Sequence, residues 1–354
     1  MSVNNFSNYI DRKQWIDFGK GISMFLVILY HSECYYPITN ESYSSIFAYF
    51  RMPFFFILSG YLFTSNFKAF SIIRKFKQIF RGIVWTYIIF TSIIIMPKAI
   101  VNGTGISEGI MQIFLGYASW FVVALGVAQA MFAIILHYIK NLKVLCIIML
   151  LSLMVGYIIK LNHPDIYPFQ FDKAFIVLFF VMIGFFYRVF EDRIHAYIPI
   201  NKISLAVLSV LFFTITFLDK KYLGTTISCI QAVEYNNFVL SVLYALVGSL
   251  MLIFFVKCFP AINFISFIGI NSLVFYYLNG GVIKVLRIIY NKYDVHLPQS
   301  VIENGGGYVE ILFMAISTCV VIAVIVKFIK HYCPLIIGDK KAFNKLMKKL
   351  KIDY

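Results

Sequence analysis

Residues 15–36 read WIDFGKGISMFLVILYHSECYY, a run long enough to cross a bilayer. Yet Asp17, Lys20, His31 and Glu33 lie inside it or at its edges. Ionisable groups at membrane depth are costly, and their retention marks a functional site. Eleven residues are close to three helical turns, so Lys20 and His31 share one face about 16 Å apart along the axis. Asp17, Met24 and Ile28 fall near the same stripe. This helix carries a cation near one membrane surface and an imidazole near the other.

Composition agrees with that reading. The 354 residues are 61% hydrophobic and only 13% charged, whereas a soluble domain is about half apolar and about a quarter charged. The net charge of +15 does not require nucleic acid, because basic residues on cytoplasmic loops give the same excess. The first segment is too long and too charged for a cleavable signal and lacks a small-residue cleavage site. The six cysteines show no CxxC spacing, and Cys34 and Cys229 are the one pair expected on the outer side. His137, His163, His195, His296 and His331 lack metal-ligand spacing, so no metal is expected.

Ten apolar runs are expected to span: 15–36, 45–64, 79–97, 119–139, 143–160, 174–190, 203–218, 238–257, 264–283 and 309–330. With the N-terminus inside, 21 Lys and Arg fall on inner segments and 8 on outer ones, which predicts both termini in the cytoplasm. The fold class is an all-α polytopic membrane protein, with a ten-helix domain over residues 1–337. Residues 338–354 form a basic tail with Phe343, Leu346 and Leu350 at helical spacing. It reads either as an amphipathic helix on the anionic lipid of the inner leaflet or as a solvated positive-inside tail. No internal or inverted repeat is visible, and ENGGG at 303–307 reads as a turn.

Two groups of residues can carry chemistry. His31, Arg51 and Asn279 each lie about four to six residues from the outer end of their helices. An imidazole suits general-base work near neutral pH. A buried Arg51 needs an anionic partner or water, and an ion pair with Glu33 or another carboxylate is the structural alternative to a catalytic role. Asn279 is either part of this site or an interhelical hydrogen bond. At the inner surface, Lys20, Arg74, Lys75, Lys77 and Arg81 form a basic group. It marks topology, and it also has the chemistry of a phosphate site. Asp17 is the natural partner of Lys20, one turn away. Pro53 and Ser59-Gly60 predict a kink or close packing in the second helix.

IDFGKGISMFLVILYHS (16–32) resembles the first-helix signature of the membrane acyltransferase 3 family, in particular its fucose 4-O-acetylase-like branch: a basic residue, ten intervening residues and a histidine, here Lys20 and His31. RMPFFFILSGYLF (51–63) resembles the family's second-helix segment. The run at Arg74-Lys75-Phe76-Lys77 is similar to its paired-basic motif. ASWFVVALGVAQA (118–130) and IGINSLVFYYLN (268–279) resemble its Trp-Phe and Gly-x-Asn-Ser-Leu segments. Branch members commonly carry His where this chain has Arg51 and Asn279.

The resemblance implies transfer of an acyl group, usually acetyl, from acetyl-CoA to a hydroxyl of an extracytoplasmic glycan in the plasma membrane. The inner basic cluster would take the CoA phosphates. His31 would be base or transient acyl carrier, and Arg51 or Asn279 would stabilise the oxyanion. Two other classes remain open: a carrier or flippase for glycan or lipid-linked sugar without covalent chemistry, and an inactive sensor or assembly protein.

Overall fold

The computed structural model describes residues 13–35, 44–64, 67, 69–101, 105–162, 167–219, 221, 238–296 and 307–350. Cys229 and most of the 303–307 turn lie outside them. The described secondary structure is entirely helical. The helices are α1 (Gln14–Tyr35), α2 (Arg51–Tyr61), α3 (Ile72–Ile79), α4 (Trp85–Val101), α5 (Ile106–Phe114), α6 (Trp120–Tyr138) and α7 (Leu142–Asn162). They continue as α8 (Phe171–Tyr197), α9 (Lys202–Leu218), α10 (Phe238–Cys258), α11 (Asn263–Ile270), α12 (Ser272–Lys292), α13 (Gly307–Tyr332) and α14 (Lys340–Lys349).

Among the described residues seven helical stretches are long and apolar enough to cross a membrane: Ile72–Ile95, Trp120–Tyr138, Leu142–Asn162, Pro168–Tyr197, Phe238–Cys258, Ser272–Lys292 and Gly307–Tyr332. Their outer faces are apolar, with Leu150, Val155 and Val324 among the exposed side chains. Such a surface suits lipid, and the chain is a membrane protein. The other three expected spans are helical but fall outside this set. α1 is too polar, α9 has 17 residues, and the second run is broken.

That break is a 3-10 helix at Ser45–Tyr49 followed by α2, with Phe50 between them at φ −125° and ψ −16°. The kink precedes Pro53. Pro53 itself sits in the first turn of α2, where its missing N–H would have no intrahelical partner anyway. The ninth expected helix is also broken. Asn271 leaves helical geometry, and its Nδ2 donates to the Phe267 carbonyl at 2.7 Å. α12 then runs to Lys292, nine residues beyond the expected end. A π-helical turn, Phe80–Val84, joins α3 to α4.

α1 is the hub, in contact with α2, α10, α11, α12 and α13. Two pairs of glycines make the closest helix contacts. A Cβ on Gly21 would lie 1.9 Å from the Ile265 carbonyl oxygen, and one on Gly269 would lie 1.9 Å from that of Asp17. α1 and α11 therefore touch backbone to backbone. Gly60 of α2 and Gly184 of α8 do the same, at 1.8 Å from Val181 O and 1.9 Å from Ile57 O. Small residues allow this approach where lipid supplies no hydrophobic drive between helices.

Candidate functional site

At the N-terminal end of α1 the helices enclose a cavity of about 730 Å³. Lys13 just before α1, Lys20 of α1, Arg81 of the π-helical turn, Arg188 of α8, Lys330 of α13 and Lys340 of α14 line it. Asp17 and Asp339 are the two carboxylates in the wall. Six cations against two anions make this a site for a negatively charged ligand, and low-dielectric walls strengthen the field. Phe55, Leu125 and Val274 give the cavity an apolar side. The Lys20 ammonium stands 5.4 Å from the Phe55 ring centroid.

The expected inner cluster divides here. Lys20 and Arg81 line the cavity. Arg74, Lys77 and Arg81 line an adjoining groove of about 250 Å³ with Gln78, Lys340 and Asn344. Lys75 lines neither. Its Nζ donates to the Phe63 carbonyl at 3.1 Å and lies 3.9 Å from the Phe63 ring centroid. On a helix, neighbours in sequence point in different directions, so a run of basic residues cannot all face one ligand.

A hydrogen-bonded network fixes the same end. Lys257 Nζ donates to Glu191 Oε1 at 2.5 Å and to Tyr187 OH at 2.7 Å. Tyr61 OH donates to Glu191 Oε2 at 2.5 Å, and Lys13 Nζ donates to Tyr61 OH. Arg188 donates to the Tyr61 carbonyl at 3.0 Å. Polar groups joined in this way tie α1, α2, α8 and α10 together and set the cavity mouth. Arg188, Lys330 and Lys340 had registered in the sequence only as inner charge. Glu191 had not registered at all, because its partner Lys257 is 66 residues away in the chain.

Toward the other end of α1, His31 sits among aromatic rings. It stacks on Tyr35 with centroids 5.7 Å apart and planes at 14°, and Tyr30 lies 5.5 Å away. Arg51 is 3% exposed, and its guanidinium carbon is 4.0 Å from the Tyr30 ring centroid, a cation–π contact. Ser23 donates to the Arg51 carbonyl. His31 and Arg51 are thus brought together around Tyr30. Glu33 accepts from the Ser44 backbone N–H at 2.7 Å and from the Ser44 hydroxyl. It ties α1 to the start of the 3-10 helix.

Asn279 is buried, and its Nδ2 donates to the carbonyls of Phe275 at 3.3 Å and Tyr276 at 2.5 Å. Its amide is held by its own helix. Two aromatic hydroxyls lie near the His31 end that the sequence reading passed over. The Tyr276 hydroxyl accepts from Ser119 Oγ at 3.2 Å, and the Tyr35 ring stacks on His31. Phe55, which lines the cavity, contacts Phe121 at 5.3 Å, and Phe121 contacts Tyr276 at 5.0 Å. An aromatic column therefore runs from the charged cavity through Phe55 and Phe121 to Tyr276.

No curated protein and no solved structure matches the chain. The acyltransferase domain of the acyltransferase 3 family matches it over residues 13–329. That span contains the Lys20–His31 helix, Arg51 and most of the cavity wall, with Lys330 and residues 337–340 beyond its end. The chain belongs to the acyltransferase 3 family and is a membrane acyltransferase.

Proposed function

We propose that this acyltransferase moves an acetyl group from cytoplasmic acetyl-CoA to a hydroxyl of an extracytoplasmic glycan, as the fucose 4-O-acetylase-like branch does. The observation that carries the reading is a single helix with two ends. One end opens on a cavity ringed by six cations, and the other carries a histidine beside a buried arginine. The cations suit the phosphates of CoA. The acceptor hydroxyl meets the thioester near His31. In this topology both termini face the cytoplasm, the count of spans is ten, and the membrane is the plasma membrane.

Each part has a chemical task. Lys20 and Arg81 hold phosphate oxygens, and the pantetheine arm runs along Phe55 and Phe121 toward His31. His31 takes the proton of the glycan hydroxyl as the alcohol oxygen attacks the thioester carbonyl. The Arg51 guanidinium stabilises the oxyanion of the tetrahedral intermediate. The C–S bond then breaks, the ester remains on the glycan, and the thiolate recovers the proton from the imidazolium. Atoms and charge balance without a metal or redox partner. Asn279 and Glu33 support the two helices that frame this end.

The test is transfer of labelled acetyl from acetyl-CoA to surface glycan in cells making the wild type. Label on the glycan supports the reading. Unlabelled glycan whose surface amount follows expression supports a carrier instead. A narrower test concerns the cavity. Lys20→Ala weakens acetyl-CoA binding about tenfold, the cost of about 1.4 kcal/mol expected for one charge-assisted contact. Calorimetric titration of the purified protein measures it, and an unchanged affinity removes Lys20 from the donor site.

A further inference from the structure

We propose that the C-terminal helix α14 is a lid on the donor cavity and that Lys340 is a ligand of the donor's phosphates. The inference rests on the acyl-CoA reading above. The family match ends at residue 329, so this element lies outside the matched residues. The chain nevertheless uses it to complete the cavity. Ile337, Gly338, Asp339 and Lys340 line the large cavity, and Lys340 and Asn344 line the adjoining groove. Lys340 and Arg81 are the two cations that border both.

The lid is held by specific contacts. Phe343 is fully buried, with its ring 5.3 Å from Trp85 at 83° and 6.3 Å from Phe80. Met347 is buried one turn on. Trp85 Nε1 donates to the Leu335 carbonyl at 2.9 Å. Gly338 has φ +66°, and a Cβ there would lie 2.4 Å from the Arg81 carbonyl oxygen. Glycine suits both the left-handed backbone and the close crossing over Arg81. Asp339 Oδ1 accepts from the backbone N–H groups of Lys341 at 3.0 Å and Ala342 at 2.9 Å, which fixes where α14 begins. The helix therefore seats on protein with its apolar edge, and its first lysine faces the cavity.

Charge then calls for an anion. Among the described residues the groove is lined by Arg74, Lys77, Arg81 and Lys340 with Gln78 and Asn344, and by no carboxylate. Arg81 Nε is buried with no hydrogen-bond partner among the described residues. Like charges gathered around one groove repel, and a phosphate accepts hydrogen bonds from several such donors at once and offsets that repulsion. The π-helical turn that carries Arg81 widens the helix at the point where α14 docks, and such turns recur at functional sites.

The experiment titrates acetyl-CoA into the full-length protein in phosphatidylcholine nanodiscs. Lys340→Ala weakens binding about tenfold, Lys340→Arg restores it, and Lys348→Ala on the exposed side of α14 leaves it unchanged. Acetyl-CoA also slows tryptic cleavage within 340–349 in the wild type and not in Lys340→Ala. If Lys20→Ala weakens binding and Lys340→Ala does not, the donor site stands and the lid is overturned. If the wild type does not bind acetyl-CoA, the donor reading falls and the lid with it. A Lys340→Ala defect seen only in nanodiscs with anionic lipid assigns the contact to a headgroup and also overturns it.

Discussion

Replacing His31 with alanine lowers acetyl transfer about a thousandfold, within the range expected for loss of a general base. Acetyl-CoA binding is retained, because the cations of the donor cavity lie at the other end of α1. The separation of these effects is the point of the prediction. A defect in folding would lower both, whereas loss of the base lowers turnover alone. The alanine also removes the ring that stacks on Tyr35, so His31→Gln is the companion variant. It keeps a polar side chain in the gap and accepts no proton at neutral pH. Normal expression and donor binding with no transfer in both variants assign the proton to His31. Retained transfer in either one removes His31 from the reaction. An acetylated protein trapped by rapid quench in the wild type and absent from both variants selects the acyl-carrier role over the base role.

The legible part of this molecule is the part written as a cost. Lys20 and His31 stand out because an apolar helix has no reason to keep them, and the structure sets them on α1 at the hub of the bundle. Segment positions were legible for the same reason. The breaks were less legible: Pro53 marked the second helix for a kink, but the interruption falls at Phe50, ahead of the proline, and Asn271 is one polar residue inside the otherwise apolar FIGINSLVF (267–275). Close packing at Gly60 was expected from Ser59-Gly60, but that Val181 and Gly184 would receive it depends on a helix more than a hundred residues away. Lys75 shows the limit of reading a basic cluster, because composition counts its charge and only the packing turns it to Phe63. Asn279 shows the same limit at the other end, where matching depth brought it beside His31 and Arg51 on paper while its amide stays with its own helix. The tail was amphipathic in sequence. That its apolar edge seats on Trp85 and Phe80 could not be read, because both partners lie in a helix about 260 residues earlier.

Gly21→Ala unfolds the α1–α11 contact and takes the donor site with it. The added Cβ would sit 1.9 Å from the Ile265 carbonyl oxygen and 2.7 Å from its carbonyl carbon. The obstacle is backbone, so no side-chain rotation relieves it, and the two helices must separate. Overpacking costs about 1–3 kcal/mol where side chains can adjust, and a backbone clash sits at or above the top of that range. The cost reaches function because the same helices build the cavity. Asp17 and Lys20 precede Gly21 directly on α1, and Gly269 and Ile270 of α11 line the wall opposite. Lower Tm and weaker acetyl-CoA binding are therefore expected together, read by fluorescence-monitored unfolding and titration of the detergent-solubilised protein. Gly281→Ala in α12 is the control, since among the described residues nothing outside its own helix backbone lies within 4 Å of its added Cβ and alanine favours a helix by about 0.5–1 kcal/mol over glycine. Equal stability of Gly21→Ala and Gly281→Ala would mean that α1 does not rest on α11, and the cavity would then need another wall.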